Sequence, residues 1–118
     1  MHRALIFSIF VLGFVGCFGA DCVNDVREEL SSPNGKMKVV VFSRNCGATT
    51  DFNTQASVLR KEEKLPDKAG NAFIIDKGAA DVSWRKDGSV LVVLERGARV
   101  FKKETSVGGV PIEYRDEN

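Results

Sequence analysis

Three cysteines, Cys17, Cys22 and Cys46, and a single histidine, His2, are the residues whose types bear most directly on chemistry. Thiols pair in an oxidising compartment and ligate or attack in a reducing one, so their role depends on where the chain resides. His2 stands at the extreme N-terminus. If that end is removed on export, the mature protein has no histidine, which excludes Ser-His and Cys-His nucleophilic pairs, histidine bases and His-ligated metals. Two remaining cysteines without a histidine do not complete a zinc site. The sixteen Asp plus Glu residues leave only carboxylate-pair hydrolysis, and no spacing singles out such a pair. Asp51, Asn53, Gln55, Ser57 and Glu62 fall at the ligand positions of a calcium loop, but Ala56 stands where the sharp turn needs glycine. Neither a metal nor a cofactor is expected.

The start of the chain explains the odd cysteine count. Arg3 is followed by an apolar run from Ala4 to Val15, interrupted only by Ser8 and Gly13 and ending in Gly16. A short positive start, an apolar stretch of about 7–15 residues and small residues at its end form a secretory signal, too short for a membrane span of about 20 residues. Phe14-Val15-Gly16-Cys17 resembles the box of bacterial lipoproteins, with Phe14 where that family usually has Leu. The resemblance implies cleavage after residue 16 and lipidation of Cys17; the alternative is plain cleavage after Gly19.

Either cleavage leaves Cys22 and Cys46 as the two cysteines to pair. The bridge would close a loop of about 25 residues, worth about 3.5 kcal/mol in the chain-entropy model. It would also pin the mature N-terminus to the loop that starts at Asn45. That loop carries Thr49, Thr50, Asp51 and Phe52, a candidate partner-binding surface; the alternative is a structural connection in which the Thr49 and Thr50 hydroxyls satisfy local backbone groups and Phe52 caps the core. A loop held at one end loses less conformational entropy on binding than a free one.

The elements that position these residues read as β. Residues 17–31 read as a linker or a short helix on the spacing of Val23, Val26 and Leu30. Ser32-Pro33-Asn34-Gly35 is a hairpin turn, and the strand after it carries Val39-Val40-Val41-Phe42, apolar on both faces and therefore central. Residues 54–60, 71–76, 82–84, 89–95 and 98–102 follow as strands, with a mixed-charge loop at 61–64 and an Asp87-Gly88 turn. Val110, Ile112 and Tyr114 alternate with Pro111, Glu113 and Arg115, a pattern expected of an edge strand. Arg96, Arg99, Lys102 and Lys103 form a basic stretch beside Phe101, superficially like a nucleic-acid patch; it reads as an ordinary solvated strand face, of which Arg99 and Lys103 would meet anionic lipid head groups if Cys17 anchors the chain.

The segment around Ser32-Pro33-Asn34-Gly35-Lys36 and that around Arg85-Lys86-Asp87-Gly88-Ser89 each precede an apolar run, and the pair resembles the repeat hairpin of TolB-type β-propellers. That resemblance implies protein binding in the bacterial periplasm. The length allows two such blades where a propeller needs at least four, so the likeness is expected at the level of the hairpin. The whole chain also resembles small exported bacterial proteins.

A chain of 118 residues with 43% hydrophobic and 28% charged residues makes one domain. Loss of Arg3 leaves sixteen cations against sixteen carboxylates, which speaks against a nucleic-acid partner. The expectation is a signal segment at 1–16 (alternatively 1–19) and an all-β antiparallel domain at 32–118, a sheet or sandwich of about six to eight strands. It is read as an exported, lipid-anchored envelope protein of the bacterial periplasm. It would bind a protein or other macromolecular partner as an inhibitor, immunity or accessory protein, without catalysis. The runner-up is a carboxylate-dependent envelope hydrolase.

Overall fold

Runs of β-branched residues set the architecture, and turn residues cut them into strands. A computed structural model describes residues 21–47 and 52–118; Cys17, Thr49, Thr50 and Asp51 lie outside the described residues. The described chain forms β1 (Val23–Ser31), β2 (Met37–Asn45), β3 (Thr54–Arg60), β4 (Phe73–Lys77) and β5 (Ala80–Trp84). It continues with β6 (Val90–Leu94), β7 (Arg99–Lys103), β8 (Ser106–Val107) and β9 (Val110–Asp116). The first sheet has the order β1-β2-β3-β4-β7, the second β5-β6-β9-β8. All neighbours in the first sheet are antiparallel, whereas β6 and β9 run parallel in the second.

The two sheets bury a shared core. Val39, Val41, Ala56, Val58, Phe73 and Ile75 face Val82, Val90, Val92, Leu94 and Ile112 across it. This is sandwich packing, in which alternate residues of each strand turn inward. β2 is apolar on both faces because the first sheet is covered twice: Val40, Phe42 and Leu59 form a second cluster on its outer side, closed by Leu65. The segment 61–71 crosses that outer face as a strap. Asn24 Nδ2 donates to the carbonyls of Pro66 (3.0 Å) and Lys68 (3.2 Å), and Arg44 Nη1 meets Asp67 Oδ1 at 2.9 Å. Burial under the strap explains why Gln55 and Ser57, polar in sequence, are inside. Gln55 Oε1 accepts the Gly70 N–H (2.8 Å), and Ser57 Oγ accepts that of Asn71 (3.0 Å).

Two side chains close the flanks of the sandwich. Trp84 Nε1 donates to the Leu30 carbonyl (2.8 Å), tying β5 to β1. Tyr114 Oη donates to the Glu104 carbonyl (2.7 Å), and its ring meets Phe73 edge-on at 6.3 Å.

The all-β expectation holds, with nine strands in place of six to eight among the described residues. Two local expectations are corrected. Within the segment 17–31, read as a linker or short helix, Val23–Ser31 forms β1, because the 32–35 turn folds it back on β2 and the ladder outweighs a three-residue helical spacing. β9, read as an edge strand, lies between β6 and β8. Pro111 is accommodated because its partner β8 is only two residues long, and the Ile112 N–H reaches the Thr105 carbonyl (2.9 Å). The two look-alike hairpins do share turn chemistry. Asn34 Oδ1 accepts from the Lys36 N–H and Asp87 Oδ1 from the Ser89 N–H, both at 2.9 Å, each followed by a glycine with positive φ.

Candidate functional site

The Cys22–Cys46 disulfide is formed and joins the start of β1 to the end of β2. It staples the end of the first sheet at which β1 and β3 begin. In register, Val23 faces Asn45 and Asp25 faces Ser43, on the same side of the sheet as core residues Val41 and Val39. The strands of the second sheet are five residues or fewer, except β9, so this end of the inner face is left open. The result is a groove of about 600 Å³ lined by Val23, Asp25, Arg27, Ser43, Asn45 and Phe52, among others.

A bulge in β1 shapes the groove. Val26 pairs with Phe42 and Glu28 with Val41, which leaves Arg27 as the extra residue. A bulge re-aims the side chain it carries. Here the Arg27 guanidinium stands over the Phe52 ring, 5.3 Å from its centre, with Asp25 Oδ2 at 3.6 Å from Arg27 Nε. Phe52 is nonetheless 60% exposed, so the cation covers only one face of the ring.

Of the expected partner-binding residues, Phe52 is on the rim of this groove; Thr49, Thr50 and Asp51 are outside the described residues. Sequence reasoning missed Val23, Val26 and Arg27, since it did not make their segment a strand. Asn53 and Asn45, at the two ends of the connection, are held by local bonds: Asn53 Oδ1 accepts the Arg44 N–H (2.9 Å), its Nδ2 donates to the Arg44 carbonyl (2.8 Å), and Asn45 Oδ1 accepts the Gly47 N–H (3.0 Å). Gln55 Nε2 donates to Asn53 Oδ1 (3.2 Å), so these two members of the calcium-like spacing are engaged with each other and with backbone.

Elsewhere, on the outer face of the second sheet, Glu113 pairs with Arg85 (2.6 Å) and with Arg115 (3.1 Å). The Arg85 guanidinium, followed by that of Arg115, holds the Glu113 carboxyl below the usual carboxylate range. Among the described residues, no three His, Cys, Asp or Glu side chains gather to hold a metal. The groove therefore offers apolar contact, one stacked cation and hydrogen-bonding side chains, a surface suited to recognition.

The molecule so defined is a disulfide-stapled β-sandwich with one open end. No known family model, curated protein or solved structure matches the chain.

Proposed function

We propose that this is an exported, lipid-anchored protein of the bacterial cell envelope that acts by binding a partner, in an inhibitory, immunity-type or accessory role, without catalysis. The observation that carries the binding reading is the set of exposed large hydrophobic residues among those described: Val23, Val26 and Phe101 on strands of the first sheet and Phe52 in the connection before β3. Single exposed apolar residues need no explanation, but apolar side chains gathered on one stapled end mark a contact surface. The export reading is supported by the apolar run before Cys17 and by the Cys22–Cys46 bridge, which persists in oxidising compartments.

The test is the mass of the protein recovered from membranes of its native host. The expected species lacks residues 1–16 and carries a lipid on Cys17, and Cys17→Ala releases it to the soluble fraction. A mature species that still contains Met1 overturns export. An unmodified Cys17 overturns anchoring.

A further inference from the structure

All four exposed hydrophobic residues lie close to the end from which the anchoring segment emerges. Val23 pairs with Asn45 beside the disulfide, and Val26 is three residues further along β1. Phe52 precedes β3 by two residues, level with Asn45. Phe101 is the extra residue of a second bulge, since Ile74 pairs with Lys102 and Ile75 with Val100. At 78% exposure it is the most exposed of the four. Through Ile75 and Thr54 its level is that of Asp25 and Val26. At about 3.4 Å per residue all four fall within about 10 Å of the stapled end.

That depth has a physical counterpart. The apolar faces of interfacial amphipathic helices sit about 5–10 Å into the boundary between head groups and acyl chains. The five residue-to-residue steps from Cys17 to Cys22 span at most about 18 Å when extended, so an acylated Cys17 holds this end against the bilayer. The apolar residues also stand on both edges of the sheet, β1 and β7, four strand spacings or about 19 Å apart. A planar occupant reaches both edges at once. We infer that the stapled end of the first sheet, through Val23, Val26, Phe52 and Phe101, seats on the phospholipid bilayer that carries the anchor. The inference rests on the anchoring reading above and names the partner of that surface.

Charge adds little to this seat: Arg27, Lys77 and Arg99 stand near the apolar residues together with Asp21, Asp25, Glu28 and Asp76, and Asp25 and Asp76 each pair with an arginine. Attachment of this seat is apolar first and changes little with salt.

The test uses the mature protein, purified from its host and reconstituted in vesicles of phosphatidylethanolamine with phosphatidylglycerol as the minor component. Tryptophan is placed at Phe52→Trp, at Phe101→Trp and, as a control on the opposite end, at Lys86→Trp, and a bromine-labelled lipid serves as quencher. Trp84 contributes the same background to all three, and the wild type measures it. Quenching several-fold greater at positions 52 and 101 than at 86, with a blue-shifted emission, supports the seat. Equal quenching at the three positions overturns it, as does protection of position 52 that appears only when envelope proteins are added. The mass at Cys17, read on the same samples, reports separately on the anchor: an unmodified Cys17 with position 52 still quenched removes the tether and keeps the seat.

Discussion

The carboxamide of Asn71 pairs with the backbone of Val58 in both directions: its Oδ1 accepts the Val58 N–H at 2.8 Å and its Nδ2 donates to the Val58 carbonyl at 3.0 Å. A strand neighbour would make the same two bonds, and the β3–β4 ladder runs only from Thr54 to Ala56. Asn71 thus extends the ladder with a side chain. Asn53 does the same for Arg44 at the opposite end of β3.

Asn71→Ala leaves both Val58 groups unpaired beneath the strap, and an unmade buried hydrogen bond costs about 1–3 kcal/mol. The expected loss is about 2–3 kcal/mol, read from chemical denaturation. A change under about 0.5 kcal/mol would mean that water replaces the amide at no penalty.

Cys46→Ser removes the staple and is expected to cost about 3.5 kcal/mol on the loop-entropy estimate. The loss should be local in its first effect. Amides of Asn24 and Asp25 should exchange faster by several-fold, while Val39, which is almost fully buried, keeps its protection relative to global unfolding. Uniform acceleration across the sheet would show that the bridge serves the whole fold and not its open end.

The fold was legible where local chemistry and packing agree. Val39 to Phe42 are apolar on both faces, and β2 is covered on both faces. The Cys22–Cys46 pair followed from parity. β1 was not legible from periodicity, because Arg27 sits in a bulge and its neighbours Asp25, Glu28 and Glu29 are solvent-exposed edge positions with no alternation to read. A signal was nonetheless present: Cys22 and Cys46 stand twelve residues either side of Asn34, and a bridge symmetric about a turn requires two antiparallel strands of equal length. The open groove was out of reach for a different reason. It arises from the difference in length between strands of separate sheets, which no local pattern encodes.

Tyr114 makes the stability sensitive to alkali. Burial, and then the nearby Glu104 carboxylate, push its hydroxyl up to about 12 from an ordinary value of 10.0. The unfolded chain therefore loses this proton first, so the contribution is intact below about pH 10 and is lost as pH rises toward 12. Tyr114→Phe should show a smaller decline over that window, together with a constant loss from the missing bond to Glu104. Identical pH profiles for the two proteins would place the alkaline sensitivity elsewhere.

Glu113 provides the acidic counterpart at an exposed site. Its carboxyl titrates below the usual range because Arg85, and secondarily Arg115, stabilise the charged form. Arg85→Ala should raise the value toward the ordinary one in an NMR titration and leave the melting temperature nearly unchanged, since solvent screens exposed ion pairs and they add little to stability.

Two glycines separate two reasons for lacking a side chain. A Cβ on Gly70 would lie 2.5 Å from the Ala56 carbonyl oxygen and 2.9 Å from both Ala56 N and Phe73 O. These are backbone atoms inside the sheet and have nowhere to move. A Cβ on Gly88 would meet nothing within 4 Å, but the residue has φ +89° in the β5–β6 turn. Gly70→Ala is therefore an overpacking change, costing about 1–3 kcal/mol or more, and Gly88→Ala a conformational one, costing about 1–2 kcal/mol. Asparagine distinguishes them, because it tolerates positive φ yet is larger than alanine. Gly88→Asn should be more stable than Gly88→Ala, whereas Gly70→Asn should be less stable than Gly70→Ala. The same order at both sites would mean that the strap lifts away from Ala56 to admit a side chain, and that the outer cluster of Val40, Phe42 and Leu59 is held more loosely than its burial implies.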